Sequence, residues 1–529
     1  MEQQAEGVAL EERMARWLTS DRQHYILVGL IIAAGVFFRV AGYLHNWSLW
    51  LDEAMLSWAI LQRSFVELLD PLLEYNQAAP VGFLYLQRSA TLMFGPKEYS
   101  LRLFPLLAGL ASLPLFYLLI KRYAGRTAAL PGLAVFAASQ RLIYHSHEAK
   151  QYSMDVLLTI LVLLAVEPFL RDSQQRRHWL LLGATGAVAV WFSHPVVFVM
   201  AAAGMVLAGR ALYRKDWQRL AKLAGVGLVW LASFGLNFGF ITRHVATSQA
   251  KVRLFREYLM PARFSLETLE WLRHTLSGLA SRVVRIPTEM GAAFIGTVCL
   301  IAGTVRLFYR DRARGALIMI PLVLCLAASA LHKYPAKPRL LLFLTPLLLI
   351  AIGLGAHWFI ASERRRSVRI VGILLVTVLL AVPFVVSTYK AYDTDTPYGE
   401  EELRPLLKRL DQTRTSEQGV FVNVTAVAPV LYYREAYGYG PEQFVKGEPL
   451  PEDPEAYRAE VRRLFREHGP RMWFIFCHQA RSKRDRMRET LDTIGTRIDT
   501  IEVKRAIAWL YRADVSADGE QPESSADDG

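Results

Sequence analysis

Long apolar segments separated by short polar ones dominate the first 390 residues of the chain. A transmembrane helix needs about 20 mostly apolar residues. The pattern therefore predicts eleven spans, at 25–44, 101–120, 126–144, 152–170, 178–192, 195–209, 219–242, 289–308, 314–331, 339–360 and 368–388. The apolar stretch 80–94 is short and contains Gln87 and Arg88, so we expect an interfacial helix there.

After residue 390 the pattern becomes that of a soluble domain. It predicts buried strands at 420–424 and 472–476, a possible strand pair at 498–503 and 507–511, and amphipathic helices at 403–410, 457–468 and 481–491. We therefore expect an all-α polytopic membrane bundle of about 11 transmembrane helices at 25–390, followed by a small α/β domain at 391–515. The acidic end, 516–529, is expected to be disordered, and the polar start, 1–24, lacks the features of a signal peptide.

Composition agrees with this two-part architecture. The chain is 53% hydrophobic, which is high for a soluble protein, but its 21% of charged residues is high for a bare membrane bundle. The apolar and aromatic content excludes general disorder. Its three cysteines, Cys299, Cys325 and Cys477, are too few and too widely spaced for a disulfide framework or a zinc motif.

The positive charge predicts an orientation in the membrane. The net charge is +13, yet the residues after 390 carry 20 Lys and Arg against 26 Asp and Glu. Five short gaps between spans hold 18 Lys and Arg against four acids: 121–126, 171–177, 210–219, 306–314 and 363–369. Basic short loops stay in the cytoplasm. We therefore expect a multi-pass membrane protein with a cytoplasmic N-terminus and a C-terminal domain on the outer side, and no nucleic-acid surface.

The predicted outer loop 45–100 carries an acidic pair, Asp52 and Glu53. Apolar and aromatic residues flank the pair, and we expect an interfacial helix over 48–69. A carboxylate just above a bilayer, in partly apolar surroundings, can act as a general base with a raised pKa. The alternative is that both acids only complement the dipole at a helix start.

A second predicted outer loop, 145–155, contains two more acids. In a helix, Glu148, Tyr152 and Asp155 share one face, at positions i, i+4 and i+7. That face would extend into the membrane, where acidic side chains are costly and usually functional. Lys150 lies in the same segment and is either a further site residue or a side chain that only reaches toward the headgroups.

Cations in two other predicted outer regions are candidates for binding a phosphate. Loop 332–339 contains Lys333, Lys337 and Arg339 together with two prolines, and a stiff basic loop at the bilayer surface suits a phosphate at headgroup depth. Arg102, at the outer end of a span, is a similar candidate. The alternative is ordinary contact of long basic side chains with the membrane interface.

Candidate ligands for a divalent metal are Glu148, His147 and His194. On a helix, however, the spacing of His145 and His147 would direct the two rings apart. His194 precedes Pro195 at a turn, where capping or packing is an equally simple role. The sequence leaves the presence of a metal open.

Three motifs in this order resemble those of the type C glycosyltransferases, which are polytopic enzymes that use lipid-phosphate sugars. They are Leu-Trp-Leu-Asp-Glu-Ala at 49–54, the segment 79–105 ending in Tyr-Ser-Leu-Arg-Leu-Phe-Pro, and Ser-x-Glu-x-Lys-x-Tyr at 146–152. The family includes protein O-mannosyltransferases and bacterial aminoarabinose transferases. The likeness extends over about the first 210 residues, and after residue 210 only the order of spans, loops and C-terminal domain agrees.

The resemblance implies transfer of a sugar from a polyprenyl-phosphate donor to an extracytoplasmic acceptor, with inversion. It also implies a bacterial inner-membrane protein whose C-terminal domain is periplasmic. The acceptor would be a glycolipid, a polysaccharide or a protein. Asp52 would be the general base in a catalytic pair with Glu53. The remaining candidates would bind the sugar, the phosphate or a divalent metal: Glu148, Lys150, Tyr152, Asp155, Arg102, Lys333, Lys337 and Arg339.

Two other functions remain alternatives. The chain could be a transporter or flippase of a lipid-linked glycan, although its acids and cations are predicted at one face of the membrane rather than near the midplane. It could also be a non-catalytic scaffold whose outer domain binds partners in the cell envelope.

Overall fold

A computed structural model describes residues 21–70, 75, 77–239, 255–261, 265–283, 292–361, 366–392, 401–447, 453–479 and 481–514. Most of the predicted N-terminal segment, up to residue 20, and the predicted acidic tail, 516–529, lie outside the described residues. We number the elements of the described part in chain order.

Most of the described chain is helical. The helices before the C-terminal domain are α1 (Asp21–Leu44), α2 (Leu51–Gln62), α3 (Val81–Phe94), α4 (Glu98–Ala124), α5 (Arg126–Ala138), α6 (Gln140–Ser146), α7 (Tyr152–Leu170), α8 (Arg176–Phe192), α9 (Val196–Tyr213), α10 (Trp217–Asn237), α11 (Leu266–Val283), α12 (Ala292–Arg310), α13 (Arg312–Ala330), α14 (Thr345–Ile360) and α15 (Arg366–Tyr392). The helices after them are α16 (Leu403–Thr413), α17 (Val427–Tyr437), α18 (Pro454–His468) and α19 (Arg481–Ile494).

The chain forms two compact units. The first, the helical unit, comprises Met1–Asn46, Arg63–Met93 and Tyr99–Thr396. The second, the sheet unit, comprises Trp47–Gln62, Phe94–Glu98 and Pro397–Gly529. The sheet unit is therefore discontinuous in sequence, and it includes α2 with the acidic pair.

The protein is a multi-pass membrane protein, as its hydropathy predicts. Each of the eleven predicted spans is largely helical, and eight described helices are long and apolar enough to cross a bilayer. The predicted span 126–144 is two helices, because the backbone of Ser139 is extended between α5 and α6. The count of eleven spans remains a prediction.

The basic gaps meet at one end of the helical unit. Arg214, from the third gap, pairs with Asp172, from the second, at 2.6 Å. Arg122, from the first gap, pairs with Glu167 beside the second gap. Arg310, from the fourth gap, donates a hydrogen bond to a backbone oxygen of the first. These four gaps thus share one end, as the alternation predicts; the side of the membrane remains a prediction.

Glycines bring the backbones of α12 and α14 together. A Cβ added at Gly303 would lie 1.8 Å from the backbone oxygen of Ala351, and one at Gly355 would lie 1.9 Å from that of Cys299. A Cβ added at Gly353, on the same helix, would lie 2.7 Å from the backbone oxygen of Ala128 on α5. Small residues allow such backbone contact between membrane helices, so α14 is packed tightly between two neighbours.

The sheet unit contains a five-stranded mixed sheet. Its strands are β1 (Gly419–Val422), β2 (Val445–Lys446), β3 (Arg471–Cys477), β4 (Gly495–Val503) and β5 (Ala506–Ala513), in the order β2-β1-β3-β5-β4. The central strand β3 runs parallel to β1 and antiparallel to β5. The prediction of a small α/β domain is confirmed, including the strand pair β4 and β5.

Two features of the sheet unit differ from the sequence prediction. The helix expected over 48–69 begins at Leu51 and ends at Gln62. A separate short helical turn follows Gln62. It begins with a capping box, in which the side chains of Ser64 and Glu67 each accept a hydrogen bond from the backbone N–H of the other residue. Helix α17, which the sequence pattern did not predict, packs against α2.

Candidate functional site

A buried turn at one end of the helical unit carries the second acidic motif. Helix α6 ends at Ser146, the chain turns through 147–151, and α7 begins at Tyr152. The Ser153 hydroxyl donates to the backbone oxygen of His145 at 2.7 Å and closes the turn. The turn and the first turn of α7 bury Glu148, Lys150 and Asp155, each to at most 4% exposure. Charged groups so deeply buried need partners.

Glu148 is surrounded by positive charge. Its carboxylate pairs with Nδ1 of His145. Burial opposes ionisation, but the contact with His145 and the positive charges of Arg339 and Lys150 outweigh it and hold the pKa of Glu148 below its usual value. The structure therefore brings Arg339, from the predicted basic loop, to an acid that lies 191 residues earlier in the chain.

Lys150 contacts a residue that the sequence interpretation did not select. Its Nζ donates to Oε1 of Gln77 at 2.7 Å. Gln77 lies three residues before Pro80, which immediately precedes α3, and two residues before the segment 79–105 of the resemblance. That position is the signal by which Gln77 could have been identified as part of the site.

The prediction that Glu148, Tyr152 and Asp155 share one helix face is wrong for Glu148, because α7 begins only at Tyr152 and Glu148 lies in the turn before it. Tyr152 and Asp155 are both on α7 and are buried. Asp155 is 4% exposed, and its Oδ1 has no hydrogen-bond partner among the described residues. Tyr334, in the basic loop, is a second residue that the sequence interpretation missed. Burial, together with nearby Cys325, Asp155 and Tyr152, raises the pKa of Tyr334 well above its usual value. Tyr334 thus joins the basic loop to the acidic helix face.

The three cations of the basic loop have different surroundings. Arg339 is half-buried near Glu148. Lys337 lies over the rings of Phe255 and Tyr258, at 5.3 Å from each centroid. Lys333 is exposed, and no contact places it with the acidic motif in the described structure. The structure therefore brings Arg339 beside the buried Glu148.

Arg102 and His147 share a buried environment. Arg102 is 5% exposed. Burial, followed by the positive charge of Arg102, lowers the pKa of His147 to about 3, so its imidazole is neutral at physiological pH. Arg102 therefore lies in the same buried polar cluster as the acidic motif.

The candidate metal ligands do not form a ligand set. Within the described ranges, no three His, Cys, Asp or Glu side chains cluster as a metal site requires. Glu148 is engaged by His145, and His194 lies half-buried at the turn between α8 and α9. A divalent metal thus remains a prediction from sequence, and we derive no step through one.

A cavity of about 160 Å³ lies next to the basic loop in the helical unit. The amphipathic helix α11 covers it with Trp271 and His274, and Glu257 and Arg141 add charge to its lining. The cavity combines an aromatic face with polar groups, a lining suited to part of a sugar or headgroup.

The first acidic motif lies in the sheet unit, at the start of α2. Glu53 is 2% exposed and accepts a hydrogen bond from the backbone N–H of Trp50, three residues earlier, at 3.3 Å. This contact is the helix-capping half of a capping box. Asp52 is half-buried in the same first turn. The geometry therefore gives Glu53 a capping contact and leaves Asp52 as the candidate base.

Comparisons with known proteins concern one segment of the sequence and the fold. Residues 78–236 match the family model of dolichyl-phosphate-mannose-protein mannosyltransferases. The fold is similar to that of ArnT from Cupriavidus metallidurans in the apo state, with a TM-score of 0.54 and 14% identity, over 93% of this chain and 98% of that one. It is also similar to ArnT from the same organism bound to undecaprenyl phosphate, with a TM-score of 0.55 and 14% identity, over 93% and 99%.

Among curated proteins, none matches the chain by sequence. The mannosyltransferase match covers the turn with Glu148 and Lys150 as well as Arg102, whereas the structural likeness covers nearly the whole chain. In the sequence of residues 78–236 and in its overall fold, the protein thus resembles the type C glycosyltransferases.

Proposed function

We propose that this protein is a membrane glycosyltransferase that moves a sugar from a polyprenyl-phosphate donor to an acceptor at the periplasmic face of a bacterial inner membrane. The acceptor would be a glycolipid, a polysaccharide or a protein. The fold shared with ArnT, one structure of which contains undecaprenyl phosphate, and the mannosyltransferase match support a lipid-linked donor.

The observation that carries the proposal is the buried cluster at 145–155. Two carboxylates, Glu148 and Asp155, are almost fully buried at one end of a membrane bundle, with Lys150, Arg102 and Arg339 nearby. Such a group of charges is expensive to maintain near hydrocarbon. Binding a polar ligand that combines hydroxyl groups and a phosphate accounts for both signs of charge.

Asp52 acts as the general base in this mechanism. It takes the proton of the acceptor's hydroxyl or amine as that atom attacks the anomeric carbon of the donor. The new glycosidic bond forms as the bond from carbon to the phosphate oxygen breaks on the opposite side, so the configuration inverts. The electron pair leaves with the lipid phosphate. A positioned base contributes roughly 10²–10⁴-fold to such a step.

The cations stabilise the leaving group. The departing polyprenyl phosphate gains negative charge, and fixed cations in a water-poor site stabilise it strongly. Arg339, Arg102 and Lys150 have the burial suited to this role, and Lys337 lies two residues before Arg339 in the same loop. Glu148, Tyr152 and Asp155 then bind the hydroxyl groups of the sugar.

The substitution Asp52→Asn tests the proposal. It keeps the shape of the side chain but removes the base, so we expect at least a 100-fold loss of sugar transfer at an unchanged protein level. The measurement is mass spectrometry of envelope glycans from cells that lack the protein and are complemented with either variant. The matched control is Asp70→Asn, which changes an exposed acid of the same outer segment and should retain full transfer.

Other outcomes identify a different function. Full transfer by Asp52→Asn would remove Asp52 from the mechanism. Movement of a labelled polyprenyl-phosphate sugar across vesicles by the purified protein, with no change in envelope glycans, would identify a transporter instead.

A further inference from the structure

The segment that leads into α2 is held by the C-terminal part of the sheet unit. Ser48 and Leu49 are each 1% exposed. The Ser48 hydroxyl donates to Oε2 of Glu402 at 2.9 Å and accepts from the backbone N–H of Arg404 at 3.2 Å. The next residue, Leu49, donates its backbone N–H to the hydroxyl of Tyr433 at 2.6 Å. Two consecutive residues, three and four positions before Asp52, are thereby fixed.

The Tyr433 hydroxyl connects the Leu49 amide to a buried carboxylate. It accepts from the backbone N–H of Leu49 and donates its single proton to Oε1 of Glu98, at 3.2 Å. The Ser48 side chain is a further hydrogen-bonding neighbour of this hydroxyl. The contact to Leu49 is therefore oriented by a carboxylate at the start of α4.

Glu98 is a fully buried acid with three donors. It is 0% exposed. Besides Tyr433, it accepts from Nη1 of Arg404 at 2.8 Å and from the hydroxyl of Tyr437. We call Glu98, Arg404, Tyr433 and Tyr437 the Glu98 cluster. A buried carboxylate without such partners would be strongly disfavoured, so the cluster has little freedom to rearrange.

Helix α17 supplies the two tyrosines of the cluster and packs against α2. Four apolar residues of α2, Ala54, Leu56, Ala59 and Ile60, are completely buried. The entry and the body of α2 are thus both set by residues of the C-terminal domain. These contacts together determine the orientation of the first turn of α2, which contains Asp52.

We propose that Glu98 is a positioning residue for Asp52: through the Tyr433 hydroxyl it fixes Leu49, and thereby the first turn of α2. The C-terminal domain then has a defined role, which is to hold the catalytic loop. The catalytic consequence of this inference rests on the proposed function, whereas the contact between Tyr433 and Leu49 does not. Misplacing a reacting group by about 1 Å can cost 10²-fold in rate, so a loosened first turn lowers transfer.

The variant Tyr433→Phe tests this in the full-length protein. It removes only the hydroxyl, and we expect the Leu49 amide to exchange its hydrogen at least tenfold faster and sugar transfer to fall about tenfold. Tyr432→Phe is the matched control. Tyr432 is equally buried, but its hydroxyl donates to the backbone oxygen of Pro96, so neither the Leu49 exchange nor transfer should change.

A second pair of variants separates positioning from folding. Glu98→Gln keeps an oxygen that accepts from Tyr433 and should retain more transfer than Glu98→Leu, at matched thermal stability. The inference is overturned if Tyr433→Phe leaves the Leu49 exchange unchanged, or if exchange rises but transfer per folded molecule stays at the wild-type level. Failure of the proposed function is distinguishable, because it would leave Asp52→Asn active whatever happens to Leu49.

Discussion

His147 and Glu148 are neighbours in the chain, yet the fold keeps one side chain uncharged and the other ionised at neutral pH. Burial and Arg102 keep His147 neutral, whereas His145, Arg339 and Lys150 keep Glu148 ionised despite burial. Each side chain therefore reports whether the turn 147–151 is folded. The histidine is the more useful reporter, since its usual pKa lies near 6.5.

The substitution His147→Gln should reduce the sensitivity of the protein to acid. The pKa of His147 is about 3 when folded and 6.5 when exposed. Between these values the unfolded chain binds a proton that the folded chain does not, so stability falls as the pH is lowered below 6.5. At pH 5 the loss is about 2 kcal/mol, from 1.36 kcal/mol per pKa unit.

The measurement is the thermal unfolding temperature of the purified protein at pH 7 and pH 5. The wild type and His468→Gln, which changes an exposed histidine, should both lose more stability on acidification than His147→Gln. An equal fall in unfolding temperature on acidification in all three proteins would contradict the low pKa of His147 in the folded state.

The sequence identified the charged residues of the site better than their partners. Glu148, Lys150 and Asp155 were selected because charges near hydrocarbon require a reason, and that argument is local. Gln77 is neutral, lies 73 residues from Lys150, and becomes significant only through this contact. Pairings over such separations leave no periodic pattern in a single sequence.

At the scale of elements, hydrophobic period and charge predicted most of the helices and strands. Helix α17 was missed because it is short and its Tyr432 and Tyr433 suit strands as well as helices. Helix α2 was predicted to be too long, although the capping box at Ser64 and Glu67 was present in the sequence. The contact of α17 with α2 follows from neither segment alone.

The close packing of α12 and α14 leads to a stability prediction. Gly303→Ala places a Cβ where the backbone of α14 already lies, and overpacking of this kind costs typically 1–3 kcal/mol. We expect a clear fall in the unfolding temperature, measured in detergent. Gly209→Ala on α9 is the control, because nothing lies within 4 Å of its added Cβ. The control should be neutral or slightly stabilising. A Gly303→Ala protein as stable as the control would show that the backbones are farther apart.

At the scale of the whole molecule, the proposed function requires the acidic and basic loops to face the periplasm. Four basic gaps share one end of the helical unit, and the positive-inside rule assigns that end to the cytoplasm. The orientation can therefore be tested without knowing the sugar or the acceptor.

Cysteine labelling in intact cells checks the orientation. The three native cysteines are buried, so introduced cysteines at exposed positions dominate the labelling. Lys333→Cys should react with a membrane-impermeant maleimide added outside. Lys215→Cys, in a basic gap and equally exposed, should react only after the inner membrane is permeabilised. The reverse pattern would place the proposed site in the cytoplasm.

The discontinuity of the sheet unit also constrains how the protein is made. Leu49 and Tyr433 are 384 residues apart, and translation at 5–20 residues per second separates their synthesis by roughly 20 to 80 s. During that interval the helix with the acidic pair is already outside the ribosome without the tyrosine that fixes its entry. A nascent or prematurely terminated chain would thus insert its transmembrane helices before the first turn of α2, with Asp52, is held in place. The catalytic loop reaches its final conformation only after the last quarter of the polypeptide has been synthesised.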